Sequence, residues 1–181
     1  MIYLGIDPGL TATGVGMIDD GGYLAHHTVR PKDEDTLSRL EEISVGLFGF
    51  LREKEVVGAG IFHKGILIAI EMPFWTPVTR NGKALMSQAL TVGYLLAALG
   101  EVSDHEIREV HPNVVKRAVT GWGGGGFGRG RKPAPTKRQV QLCVQDILKL
   151  EKPPPQDAAD ALAVAIWLRG EVNLQTRITH A

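Results

Sequence analysis

Four carboxylates in this 181-residue chain stand where they can act together. Asp7 follows the apolar stretch Ile2 to Ile6, and Glu71 follows another, Gly65 to Ile70. Ligand sites in open α/β sheets gather beyond the carboxyl ends of neighbouring strands. Two such strands side by side would aim both acids into one crevice. Asp157 and Asp160 are three apart at the start of a helical pattern and share a helix face. Four clustered acids repel one another unless a cation sits among them. Oxygen-only donors suit hard ions, and Mg²⁺ binds a few carboxylates while keeping waters and taking a substrate phosphate. Two such ions about 4 Å apart clamp the attacking water and the leaving oxygen in phosphodiester hydrolysis. The six histidines are scattered, and His26 and His27 point to opposite faces of a strand, so no His, Cys or Ser arrangement offers a better centre. Taken singly, Asp7 before Pro8-Gly9 reads as a turn former, and Asp157 as a complement to a helix N-terminus. Their order and their placement on these elements point instead to a metal site.

The elements that must position these acids are legible in the hydrophobic pattern. Ile2 to Ile6, Gly14 to Ile18 and Tyr23 to Val29 read as strands joined by turns at Asp7-Pro8-Gly9 and Asp20-Gly21-Gly22, an antiparallel meander. Thr36 reads as an N-cap, with Leu37, Leu40, Ile43, Leu47, Phe50 and Leu51 at helical spacing behind it. Gly65 to Ile70 is apolar enough for a strand buried on both faces. Ala84 to Leu99 predicts a helix with so few charges that it is buried on two sides, one of them against another subunit. Glu106 to Val110 is a fifth strand, and His111-Pro112 opens a helix through Val119. Gly121 to Pro135 contains Gly123 to Gly126 in succession and reads as a loop. Thr136 to Gln139 fits a capping box, with Val140, Cys143, Val144 and Ile147 continuing the helix. Pro153 to Pro155 precede a last helix from Gln156 to Leu168, and the tail from Glu171 shows no period and is expected to be disordered. The expected architecture is one α/β domain over residues 1–170, a five-stranded mixed sheet flanked by helices, with a tail at 171–181.

Composition bounds the partners. At 44% hydrophobic and 22% charged residues the chain supports one soluble core. No apolar run approaches the roughly 18 residues of a membrane span, and the N-terminus enters a strand directly, unlike a secretory leader. The lone Cys143 fits a reducing cytoplasm. The formal net charge is zero, but Arg108, Lys116, Arg117, Arg129, Arg131, Lys132, Lys137 and Arg138 share their stretch with a single acid, Glu109. A neutral total can therefore present a basic face to a polyanion.

Five segments, in order, resemble the RuvC family of Holliday-junction resolvases. They are Leu4-Gly5-Ile6-Asp7-Pro8-Gly9-Leu10 with Thr13 to Gly16, Ile70-Glu71-Met72-Pro73-Phe74, Val114 to Gly121, Lys137 to Gln141, and Asp157-Ala158-Ala159-Asp160 through Ala165. The resemblance spans about residues 2–168. It implies an RNase H-like fold and a homodimer, joined through the helix at about 84–99, that nicks opposing strands of a four-way DNA junction. It also implies Asp7, Glu71, Asp157 and Asp160 as catalytic ligands of Mg²⁺, two ions per site, with Mn²⁺ as the alternative ion. Phe74 would stack on a base near the crossover, and Lys116 and Lys137 would lie by the scissile phosphate. Trp75, Arg80, Lys83, Arg117, Arg129, Arg131, Lys132 and Arg138 are expected to extend the DNA surface, with Trp75 and Trp122 as further rings for stacking or packing. The glycine-rich stretch before Lys137 and the segment Trp75 to Lys83 depart from the usual bacterial pattern and suit a diverged member, such as a phage-encoded one.

Three other readings share parts of this pattern. Sugar-kinase and actin-like ATPases open with a similar Gly-Ile-Asp-x-Gly turn, but they need a second phosphate lobe, and no second such turn occurs here. A nuclease for RNA–DNA hybrids or other branched DNA would use the same fold and metal chemistry. A junction-binding protein without cleavage would not need the acids.

Overall fold

The computed structural model describes residues 1–58, 61–62, 65–74, 82–101, 107–122 and 134–179. Trp75, Arg80, Arg129, Arg131 and Lys132, and most of the glycine-rich stretch, lie outside the described residues. The chain runs β1 (Ile2–Asp7), β2 (Thr13–Asp19), β3 (Tyr23–Val29), α1 (Thr36–Glu53), β4 (Val57–Gly58), β5 (Ile61–Phe62), β6 (Ile66–Glu71), α2 (Gly82–Gly100), β7 (Ile107–Val110), α3 (Pro112–Thr120), α4 (Lys137–Leu148) and α5 (Gln156–Thr179).

Five strands form one sheet in the order β3-β2-β1-β6-β7. The first three are antiparallel, with Asp7 opposite Gly14, and β6 and β7 add in parallel beside β1. This is the mixed sheet that the pattern predicts. The small β4–β5 hairpin is an addition, too short to register as a period. Side chains alternate between the two faces. Leu4, Ile6, Val15 and Met17 pack with Ile43, Leu47 and Leu51 of α1 and Val92, Leu95 and Leu99 of α2. Tyr3, Ile18 and Ala69 belong to the opposite layer, with Val115 of α3, Val140 and Val144 of α4, and Leu162 and Val164 of α5.

Helix α5 lies against the sheet without a side-chain spacer. A Cβ at Gly5 would stand 2.2 Å from the Ala161 carbonyl oxygen, at Gly14 2.0 Å from that of Asp157, and at Gly16 2.6 Å from the Leu162 nitrogen. Glycines on β1 and β2, facing buried Ala161, Leu162 and Ala165, thus permit backbone-to-backbone approach. The helix N-terminus is drawn down beside the end of β1 as a result.

Several boundaries differ from those expected. The N-cap of α1 is Asp35, whose carboxylate accepts from the Ser38 backbone N–H at 3.0 Å, and Leu37 is exposed. An aspartate caps better than the threonine after it. Helix α5 continues past Leu168 to Thr179, so the segment expected to be disordered is helical. No proline follows Gly170 to stop it. The Thr176 and Thr179 hydroxyls donate to the Val172 and Gln175 carbonyls, and Arg108 on β7 donates to Gln175 Oε1 at 3.1 Å. The capping box at Thr136 and Gln139 and the proline-led start of α3 are as predicted. Among the described residues no helix is long and apolar enough to cross a membrane.

Candidate active site

Parallel pairing of β1 with β6 places Ile6 opposite Ile70, so Asp7 and Glu71 emerge together at the carboxyl ends of adjacent strands. The close seat of α5 then supplies Asp160 from its N-terminal end. Lys116 comes from α3 and Lys137 from the first turn of α4. These five side chains, with Gln88 of α2, line one pocket of about 220 Å³ floored by Val115, Val140 and Ala163.

The electrostatics follow from crowding acids in a half-buried cleft. Burial, then the charges of Glu71 and Asp160, push the Asp7 carboxyl well above its ordinary range, and Lys137 opposes them. Glu71 is pushed up to about 7, first by burial and then by Asp160, against Lys116 and Lys137. Asp160 is raised by burial, with both lysines pulling the other way. Two lysines do not offset three packed carboxylates, so the pocket favours a proton or a cation. The donor set is all oxygen, which fits a hard divalent ion. Among the described residues, no group of three or more His, Cys, Asp or Glu closes into a ready-made cage. The carboxylates line an open pocket instead, a form that leaves an ion room for water and phosphate.

Asp157 behaves differently from the other three. It sits one turn before Asp160 and does not line the pocket, and its carboxylate accepts from the exposed guanidinium of Arg30 just beyond β3. Its charge still reaches the pocket, raising both Asp7 and Asp160. Arg30 and Gln88 are the two site residues that sequence reasoning missed. Arg30 follows an ordinary strand, 127 positions from its partner, and pattern alone cannot pair them. Gln88 had a signal, a long polar side chain in the middle of a mostly apolar helix.

Phe74, three residues past Glu71, is 43% exposed and its ring meets that of His111. Lys83, Arg117 and Arg138 are exposed and outside the pocket lining. Trp122 is also exposed, its backbone N–H and carbonyl both bonded to the Thr120 hydroxyl.

A family model described as crossover junction endodeoxyribonuclease RuvC matches residues 3–167. The protein of that name from Natranaerobius thermophilus is 34% identical, over 98% of this chain and 100% of the relative. The one from Syntrophomonas wolfei is 36% identical, over 92% and 87% respectively. Among solved structures, RuvC of Thermus thermophilus in complex with a Holliday junction substrate superposes with a TM-score of 0.72 at 24% identity, covering 97% of both chains. A second Thermus thermophilus RuvC structure gives 0.68 at 25% identity, covering 97% of this chain and 98% of that one. The fold is therefore the RNase H-like one, and this chain belongs to the crossover junction endodeoxyribonuclease RuvC family.

Proposed function

We propose that this protein is a metal-dependent endonuclease that resolves four-way DNA junctions by nicking opposing strands, acting on DNA in the cytoplasm. The observation that carries this reading is the convergence of Asp7, Glu71 and Asp160 with Lys116 and Lys137 on one pocket. Asp7, Glu71 and Asp160 would hold Mg²⁺, two ions when DNA is bound, with Mn²⁺ able to substitute. Such ions supply an activated water and stabilise charge on the phosphate. Asp157 stands behind them as a fourth carboxylate, engaged by Arg30. Lys116 and Lys137 neutralise the phosphate that enters the pocket and hold it for in-line attack. Lys83, Arg117 and Arg138 extend the basic surface from α2, α3 and α4, and Trp75, Arg80, Arg129, Arg131 and Lys132 belong to the same reading by composition. The exposed Phe74 ring offers a face on which an unpaired base stacks.

A four-way junction has two-fold symmetry, and the paired cuts call for two copies of the site. Helix α2 supplies the surface for a second copy. It buries Thr91, Val92, Leu95 and Leu99 against its own core, while Met86, Leu90, Gly93 and Ala97 are exposed at the four-then-three spacing of a helix–helix seam.

A cleavage assay on a synthetic four-way junction with Mg²⁺, beside linear duplex, Y-fork and RNA–DNA hybrid and with EDTA controls, tests the proposal. Paired nicks confined to the junction are expected. Cutting mainly of the hybrid would move the activity to RNA removal, and tight junction binding without cutting would remove the nuclease assignment.

A further inference from the structure

At the end of the sheet that carries the carboxylates, two rings from neighbouring strands meet. Strands β6 and β7 are parallel with Glu71 opposite Val110. The Met72 N–H donates to the Val110 carbonyl at 2.9 Å, so the segments leaving both strands stay side by side. One leads to Phe74 and the other to His111. Their ring centroids are 4.0 Å apart, with the planes at 71°. The same imidazole caps α3, its Nδ1 accepting from the Asn113 backbone N–H at 3.0 Å. An accepting Nδ1 carries no hydrogen, which leaves the N–H on Nε2.

The cap alone does not account for histidine here. Ser, Thr, Asp and Asn are the favoured N-cap residues because a short side chain places an oxygen on the first-turn N–H groups. A histidine caps through a bulkier group whose ring must go somewhere, and here it goes against Phe74. An exposed phenylalanine without a neighbour loses rotamer freedom when a base stacks on it. A ring held beforehand has already lost it.

We propose that His111 is a positioning residue that holds the Phe74 ring ready for a junction base while it fixes the start of the helix carrying Lys116. One imidazole thus sets the base contact and the phosphate contact relative to each other. The proposal rests on the reading that Phe74 meets DNA, and the test separates the two.

The experiment uses a four-way junction with 2-aminopurine at the crossover, bound in Ca²⁺ to suppress cutting, and the same junction cleaved in Mg²⁺. H111S keeps a capping hydroxyl and loses the ring, and H111F keeps a ring and loses the cap. H111S is expected to melt close to the parent, lose most of the fluorescence change on binding and lower kcat/KM about 3- to 10-fold, chiefly through a raised KM. H111F is expected to restore the fluorescence change while melting lower. F74A abolishes the change in either background. If F74A abolishes it but H111S retains the parental signal and rate, His111 is a cap only and the proposal falls. If F74A itself leaves the signal intact, Phe74 does not stack, and the proposal falls with that reading.

Discussion

Gly14 lies under Asp157 so closely that a Cβ there would stand 2.0 Å from the Asp157 carbonyl oxygen. No side chain at position 14 is compatible with α5 as it sits, and the obstacle is backbone, which cannot rotate away. Gly14→Ala is therefore expected to destabilise the fold by about 1–3 kcal/mol, the usual range for an overpacked core. It should also slow cleavage more than tenfold, because Asp160 moves with the helix. Gly49→Ala, where a Cβ meets nothing within 4 Å on α1, should instead stabilise by about 0.5–1 kcal/mol. Urea unfolding of both variants decides the matter, and equal effects would mean that α5 is not seated on the glycines.

Crowded carboxylates make the metal-free protein sensitive to pH in an unusual direction. Glu71 is held at about 7, against an ordinary value of 4.5. Between those values the folded chain keeps a proton that the unfolded chain has released. The contribution of Glu71 to stability in EDTA should accordingly fall as pH rises from about 4.5 to about 7, and level off above. Glu71→Gln removes that group and should flatten this part of the curve. Melting temperature against pH for the two proteins is the measurement, and parallel curves would show that Glu71 does not carry the strain.

The same crowding makes Mg²⁺ a stabilising ligand at neutral pH and above. Asp7→Asn and Asp160→Asn should each melt higher than the parent in EDTA, yet gain little from added Mg²⁺. Both should bind a four-way junction and cut it at least 100-fold more slowly, as expected when electrostatic stabilisation of the transition state is removed. Full cleavage by either variant would place the metal elsewhere.

Arg30 and Asp157 form a partly exposed pair, so Arg30→Ala should change stability by less than about 1 kcal/mol. Its effect should appear in metal affinity instead. With the guanidinium gone, Asp157 adds its full negative charge to the pocket, and the Mg²⁺ concentration for half-maximal cleavage should drop by about threefold. A titration of rate against Mg²⁺ reads this directly. An unchanged midpoint would confine the pair to a structural role.

Leu90→Asp places a charge in the exposed seam of α2 without touching the buried residues on its other side. The variant should be monomeric by light scattering at concentrations where the parent is dimeric, and should lose the pairing of its nicks. A parent that is itself monomeric would remove α2 from the assembly.

Much of this site was legible in the sequence because its ligands sit at element ends. Asp7 and Glu71 close apolar runs, and such runs pair within a sheet almost by necessity. Asp160 was legible through its helical spacing from Asp157. The separation of these two aspartates was not, because it depends on Arg30, which is distant in the chain and follows a strand of ordinary composition. Nor did the pattern reveal that Gly5, Gly14 and Gly16 form one seat for α5. Glycines in strands read as weak points until the backbone that fills their space is known. The last turns of α5 were missed for the opposite reason: their stability comes from side chains bonding back along the helix and to β7, not from an apolar period.

Strands β1, β6 and β7 run in parallel, so each delivers its chemistry at the same edge: Asp7, then Glu71 with Phe74, then His111 with the helix bearing Lys116. The opposite edge, where β6 and β7 begin, is about 16 Å from the acids along the six residues of β6. The molecule is thus polarised into a working rim and a spare rim. A dye, an affinity tag or a tether to a surface belongs on the spare rim, where it can follow the enzyme on DNA without standing between substrate and pocket.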